Sequence, residues 1–313
     1  MKEIGGYMEL EKYTLSMLHE NAIKLNCGRN ALAYIIRARK IKKIYIPRFL
    51  CGCIESVCKK ENVEVSYYSV GMDFLPVDIE VEDGSYLYLV NYYGQISNEI
   101  IKEYSIKYKN LIVDNAQAYF QMPVDGIDTI YTCRKFFGVS DGAILYTDAI
   151  LQENIEKDMS YNRMNFVLGR FEKGASEFYK EASENNDFFD NEPIKEMSPI
   201  TENLLRAVNY EEIKNKRTEN FIFLHENLNC INNLNLNIPQ GAFMYPLYIE
   251  NGDEMRKILQ QKKIYIPTLW PDVFDVCDEK SIEYHMSKNI LPLPVDQRYN
   301  EKDMYYIIEC LKK

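Results

Sequence analysis

The stretch VDNAQAYF, residues 113–120, ends an apolar run on a carboxylate, Asp114. A short loop later, YTCRKFFGVSDGAILYT, residues 131–147, sets one lysine, Lys135, between Arg134 and the pair Phe136 and Phe137. KNLIVDNA (109–116) and GAILYT (142–147) have the β-branched content and turn-residue flanks of short buried strands. Upstream, KKIYIP (42–47), VEVSYYSV (63–70) and SYLYLVNYYG (85–94) read the same way. Between them NCGRNALAYIIRARK (26–40), CGCIESVCKKEN (51–62) and NEIIKEYSIKYK (98–109) carry helical apolar spacing. Strand and helix alternating in this order predict an α/β domain with a mainly parallel sheet.

From about Ile150 the pattern turns helical and polar. NNDFFDNEPIKEMSP (185–199) reads as an irregular connection, with Pro193 and Pro199 as breakers. ITENLLRAVNYEEIKNKRTENFIFLHENL (200–228) reads as one long helix or a bent pair. FMYPLYI (243–249) and IYIP (264–267) read as strands, DEMRKILQQKK (253–263) and EKDMYYIIECLKK (301–313) as helices. The division expected is a large α/β domain over 1–208 and a small C-terminal α+β domain over 209–313.

At 313 residues and 46% hydrophobic content, the chain can bury a core of that size. A formal net charge of -10 leaves no basic face to displace counterions from a phosphate backbone, so no nucleic-acid partner is expected. No apolar run approaches the roughly 18 residues of a membrane span, and MKEIGGYMELEKY lacks the apolar core of a secretory signal. The expectation is a cytoplasmic protein. The 8 cysteines read as free thiols, with CGCIESVC a helix start, and the 3 histidines are scattered, so no metal is expected.

Gly28 opens a helix, and the exposed N–H groups of a helix start, with Arg29 and Asn30 beside them, suit a phosphate; an ordinary glycine turn is the alternative. Asp114 at a strand's carboxyl end lies where ligands bind in α/β sheets, and a protonated ring nitrogen would pair it; a turn-capping aspartate is the alternative. Lys135, among aromatics and next to Arg134, can attack a carbonyl if its pKa is lowered; a solvated loop lysine is the alternative. Thr132 offers a hydroxyl nearby. One ligand uses all of these: a phosphorylated aromatic aldehyde with a ring nitrogen, pyridoxal 5'-phosphate. Gly28 to Asn30 and Thr132 take the phosphate, Asp114 the pyridinium, and Lys135 the aldehyde.

In the segments IYIPRF, NYYGQI, DNAQA and TCRKFFGVSDGA, the chain resembles the fold-type I pyridoxal-phosphate enzymes, in particular the DegT/DnrJ/EryC1/StrS sugar aminotransferases. The likeness is strongest over 25–147. It implies the aspartate-aminotransferase-like fold and a catalytic pair of Lys135 and Asp114. It also implies Gln117 against the cofactor ring or its hydroxyl, and an aromatic near Phe49 stacked on the ring. Tyr7, in a segment resembling the family's start, would lie near the substrate entry; Trp270 and Arg298, read from their own segments, are candidates for the mouth of the site, with a domain-interface aromatic and a structural salt bridge as the alternatives. Further implications are glutamate as donor, a keto sugar on a nucleotide as acceptor, and a homodimer. The family's dehydratases carry histidine where Lys135 stands, so the resemblance implies transamination. The family's serine before the lysine is replaced here by Thr132 or Cys133, and EMSPITENLL stands where an Asn-x-Arg segment would. A transferase or lyase of the same fold, or a non-catalytic relative, are the other readings.

Overall fold

The computed structural model describes residues 4–312. Its main sheet joins β1 (Ile23–Leu25), β2 (Lys43–Pro47), β3 (Glu64–Val70), β4 (Pro76–Val77), β5 (Tyr86–Val90), β6 (Leu111–Asp114), β7 (Asp128–Thr132) and β8 (Ala143–Tyr146). The eight strands lie in the order β1-β8-β7-β6-β5-β2-β3-β4. The five central strands β7, β6, β5, β2 and β3 run parallel, as the alternation of strands and helices predicts. The remaining three are antiparallel additions, with β8 against β7, β1 against β8 and β4 against β3. Every residue of β6 and β7 is buried, the pattern of strands covered on both faces.

Parallel strands need crossovers. The helix Gly52–Lys60 returns β2 to β3, and the helix Asn98–Lys107 returns β5 to β6. Chain order reverses between β2 and β5, which are sheet neighbours. The loops leaving the carboxyl ends of β2, β5, β6 and β7 therefore open on one edge, where α/β sheets form their clefts. Phe49, Tyr92, Asp114 and Lys135 all lie on those loops or strand ends.

Beyond the main sheet, β9 (Met244–Tyr248) and β10 (Ile290–Pro294) form an antiparallel pair. They pack with the helices Tyr210–Leu228 and Glu301–Leu311. The segment 200–228 is a bent pair, since the helix Pro199–Leu205 ends before the helix Tyr210–Leu228 begins. Two expectations are corrected. Part of 185–199 is helical, because the helix Tyr179–Phe188 runs into it. Ile264–Pro267 is not a strand, although KKIYIP at 262–267 repeats KKIYIP at 42–47 letter for letter. Ile264 and Ile266 point inward and Tyr265 outward, so the segment alternates as a strand would, but no neighbouring strand pairs with it. Sheet neighbours, not local propensity, decide between the two copies.

Candidate active site

Lys135 is presented by the tight connection between β7 and β8. Its base is closed by the Cys133 N–H donating to the Gly142 carbonyl at 3.0 Å. Gly142 has φ +113, and a Cβ there would meet Cys133 and Thr201 side-chain atoms at 3.1 Å, so the connection requires glycine. Phe136 and Phe137 turn into a buried aromatic cluster with Tyr119, Phe120, Tyr210 and Phe243. With its two successors buried inward, Lys135 faces the cleft, where its Nζ stands 5.6 Å from the centre of the Phe243 ring. Lys135 itself is solvent-exposed, while Arg134 before it is half-buried and Phe136 after it is buried. Desolvation holds its ammonium below the ordinary lysine range; the Asp114 charge and the thiols of Cys53 and Cys51 oppose this, and Arg134 adds to it.

Asp114 closes β6 and is nearly buried. The Tyr88 hydroxyl donates to Oδ2 at 2.9 Å, and the Ala116 N–H donates to Oδ1 at 2.8 Å. One donor on each oxygen fixes the plane of the carboxylate and satisfies a charge that would otherwise be costly there. Tyr88 lies on the neighbouring strand β5, in the register that pairs Tyr88 with Ile112.

The helix Gly28–Arg39 begins with no side-chain cap: Cys27 makes no capping hydrogen bond, and the first turn holds no acidic residue. Its first N–H groups are thereby left for an anion. Two guanidinium groups flank it. The Arg134 Nε is buried with no hydrogen-bond partner among the described residues, and its guanidinium lies over the Phe189 ring at 4.8 Å. The Arg29 Nε also lacks a hydrogen bond, although the Asp190 carboxylate lies 3.3 Å away. Burial lowers the Arg134 pKa.

The other residues singled out in the sequence are placed as follows. The Asn30 amide donates to Asn26 Oδ1 at 3.0 Å and to the Pro193 carbonyl at 2.7 Å, so only its backbone is free for an anion. Gln117 accepts the Tyr93 N–H at 2.7 Å and is nearly buried. Phe49 is fully buried, with its ring between Tyr92 and Trp270 at 5.3 and 4.4 Å, and presents no open face. Thr132 is buried at the end of β7, next to the lysine connection. Trp270 caps the Phe49 cluster, half-buried. Arg298 is committed to Asp296 through contacts of 2.6 and 2.8 Å. Tyr7 is 99% exposed on the N-terminal segment and touches none of these groups.

Two half-buried thiols, read in the sequence as part of a helix start, lie close enough to Lys135 to act on its charge. Cys51 caps the helix Gly52–Lys60, its sulfur accepting the Cys53 N–H at 3.5 Å. A hydrogen bond from the Cys53 thiol, then that backbone N–H, hold Cys51 below the ordinary thiol range, against desolvation. Tyr88 and the thiol pair gave no sequence signal of their own; only the sheet order brings them to Asp114 and Lys135.

No family model matches the chain, and no curated protein matches it. Solved structures do. DesV of S. venezuelae superposes with a TM-score of 0.67 at 13% identity, over 93% of this chain and 84% of that one. A DegT DnrJ EryC1 StrS aminotransferase from Brucella abortus gives 0.63 at 14%, over 93% and 85%. The E. coli GDP-4-keto-6-deoxy-D-mannose-3-dehydratase, solved with bound hydrated PLP, gives 0.64 at 13%, over 93% and 87%. Aminotransferase and dehydratase share this architecture, and with its parallel sheet and cleft the chain has the fold of the fold-type I pyridoxal-phosphate enzymes.

Proposed function

We propose that the chain is a pyridoxal-phosphate-dependent aminotransferase that takes an amino group from glutamate and delivers it to a keto sugar carried on a nucleotide. The observation that carries this reading is the meeting of Lys135 and Asp114 in one cleft, beside a helix start without a side-chain cap. The donor set fits the cofactor. The Gly28–Asn30 backbone and the unpartnered Arg134 Nε suit its phosphate. Asp114, already oriented by Tyr88 and Ala116, suits a protonated ring nitrogen. Lys135 suits its aldehyde.

When bound, pyridoxal phosphate supplies an aldehyde that condenses with amines and a ring that withdraws electrons from the carbon bearing the amine. The chain supplies the rest. Asp114 keeps a proton on the ring nitrogen. Lys135, its ammonium destabilised by desolvation, serves as the nucleophile and then as the base that removes the substrate Cα proton and returns it one carbon away. Phe49, Tyr92 and Trp270 exclude water from one side of the cleft. In the same reading, residues 1–208 form the cofactor domain and 209–313 the smaller domain.

The acceptor class rests on the sugar aminotransferases among the solved structures of this fold. A homodimer completes the reading. Leu168 and Phe171 on the helix Asn165–Glu172 and Tyr179 on the helix Tyr179–Phe188 are 59%, 92% and 76% exposed, apolar side chains that a second copy would cover. An obligate interface of about 2,000 Å² or more would cover them; a monomer in light scattering at micromolar concentration contradicts this part.

The test is the half-reaction. Chain loaded with pyridoxal phosphate and mixed with L-glutamate should lose its visible absorbance and release one equivalent of 2-oxoglutarate. Absorbance that persists, with no 2-oxoglutarate, rejects the reading.

A further inference from the structure

The backbone on the far side of Lys135 is held by the C-terminal part of the chain. The Phe136 carbonyl, one residue past Lys135, accepts from the Gln297 amide at 2.8 Å and from the Arg217 Nη2 at 3.2 Å. Arg217 is 1% exposed on the helix Tyr210–Leu228, and its guanidinium lies 4.6 Å from the centre of the Phe136 ring. Its Nε donates to Gln297 Oε1 at 2.8 Å, which links the two donors to each other. Its Nη1 donates to the Ala242 carbonyl at 2.9 Å and reaches the Phe243 carbonyl at 3.5 Å. Phe243 is the residue whose ring faces the Lys135 Nζ.

One buried guanidinium thus touches both supports of the lysine, the peptide that follows it and the residue whose aromatic ring lies over its ammonium. Among the described residues, no carboxylate is hydrogen-bonded to it. The acid whose charge reaches it through space, Asp296, the neighbour of Gln297 in the chain, is engaged by Arg298. A buried cation without a hydrogen-bonded counter-ion carries a cost that an apolar residue there would not. The planar fork holds Gln297, the Ala242 carbonyl and the Phe136 carbonyl through three separate nitrogens at fixed angles, a geometry the single ammonium of a lysine does not reproduce. We propose that Arg217 and Gln297 are positioning residues for Lys135, forming a bracket through which the C-terminal part of the chain sets where the Lys135 amine stands in the cleft.

The inference rests on the reading of Lys135 as the cofactor-bearing lysine, but its first test needs no cofactor. The full-length chain, freed of cofactor, is acetylated with trace acetic anhydride across a pH series, and the label on each lysine is read by peptide mass spectrometry. In the parent chain the Lys135 profile should have its midpoint below that of the exposed lysines. In Gln297→Met and Arg217→Lys, the loosened connection lets the amine relax toward water. Its midpoint should then move up toward the ordinary value of about 10.4, with the profiles of the other lysines unchanged. After loading with cofactor and glutamate, the same variants should lose about tenfold in kcat with KM little altered, the mark of lost orientation. Gln297→Met removes only a neutral amide, so it decides the matter if Arg217→Lys does not fold by circular dichroism. A folded Gln297→Met chain whose Lys135 profile coincides with the parent's overturns the proposal. A shifted profile in a protein that takes no cofactor on Lys135 keeps the bracket and rejects the enzymatic reading, so the two failures are distinct.

Discussion

The Tyr88 hydroxyl donates to Oδ2 of Asp114 across adjacent parallel strands, at 2.9 Å and out of contact with bulk water. A hydrogen bond to a charged acceptor in such a place is worth about 1.5–3 kcal/mol. Tyr88→Phe should therefore bind pyridoxal phosphate more weakly and slow the glutamate half-reaction about tenfold. Asp114→Asn cannot hold the ring proton as an anion does and should slow it about a hundredfold. Stopped-flow absorbance measures both. A Tyr88→Phe chain with the parent's rate would reduce the contact to packing, and an unaffected Asp114→Asn chain would make the acid a turn cap.

Cys51 is the thiol expected to react first. The Cys53 thiol and backbone N–H both donate to its sulfur, which favours the thiolate. Its alkylation by iodoacetamide, followed by mass spectrometry across pH, should have a midpoint below the value of about 8.5 of a free cysteine. Cys53→Ala should raise that midpoint, whereas Cys53→Ser, which keeps a donor, should raise it less. A profile indifferent to both substitutions would mean that Cys53 does not set the Cys51 charge.

His19 predicts an acid-sensitive core. Its Nε2–H donates to the Tyr119 carbonyl at 2.9 Å, and its Nδ1 shares a 3.0 Å hydrogen bond with the Tyr146 hydroxyl. Burial lowers its pKa from 6.5 to about 4, only partly opposed by the Tyr119 carbonyl. Between those values the unfolded chain binds the proton that the folded chain refuses. Stability is then fully present above about pH 6.5 and is lost as pH falls, by about 3 kcal/mol at pH 4. Urea unfolding of the parent and His19→Gln at pH 7, 5.5 and 4.5 should show their difference shrinking or reversing toward acid. Parallel pH dependences would show that His19 does not titrate this way.

Much of the sheet was legible. LIVD and AILY carry short apolar runs with turn residues outside them, and the strand-end position of Asp114 follows directly. β1, β4 and β7 were not read. β1 has only three residues, and the Asp and Thr residues of β7 look like loop until β6 and β8 pair on either side of it. The repeated KKIYIP marks the limit of local reading, because one copy has strands on both sides and the other has none.

Within the site, the groups carried by local chemistry were visible: the glycine helix start, the strand-end acid and the lysine among aromatics. The supporting contacts were not. Tyr88 is 26 residues from Asp114, Arg217 is 81 from Phe136, and Gln297 is 161 from it, separations that only the folded sheet closes. The family resemblance put a stacking aromatic near Phe49, a position whose ring is enclosed by Tyr92 and Trp270, residues distant in sequence.

The central claim is that Lys135 is the lysine that takes the cofactor, and borohydride fixation tests it most directly. The chain should bind pyridoxal phosphate with a visible absorbance band. Reduction with sodium borohydride should then leave a stable pyridoxyl label, and digestion with peptide mass spectrometry should find it on the peptide holding Lys135, in stoichiometric yield. Lys135→Ala should abolish both the band and the label. A label on another lysine, or none on a chain that is folded and saturated with the cofactor, would contradict the account.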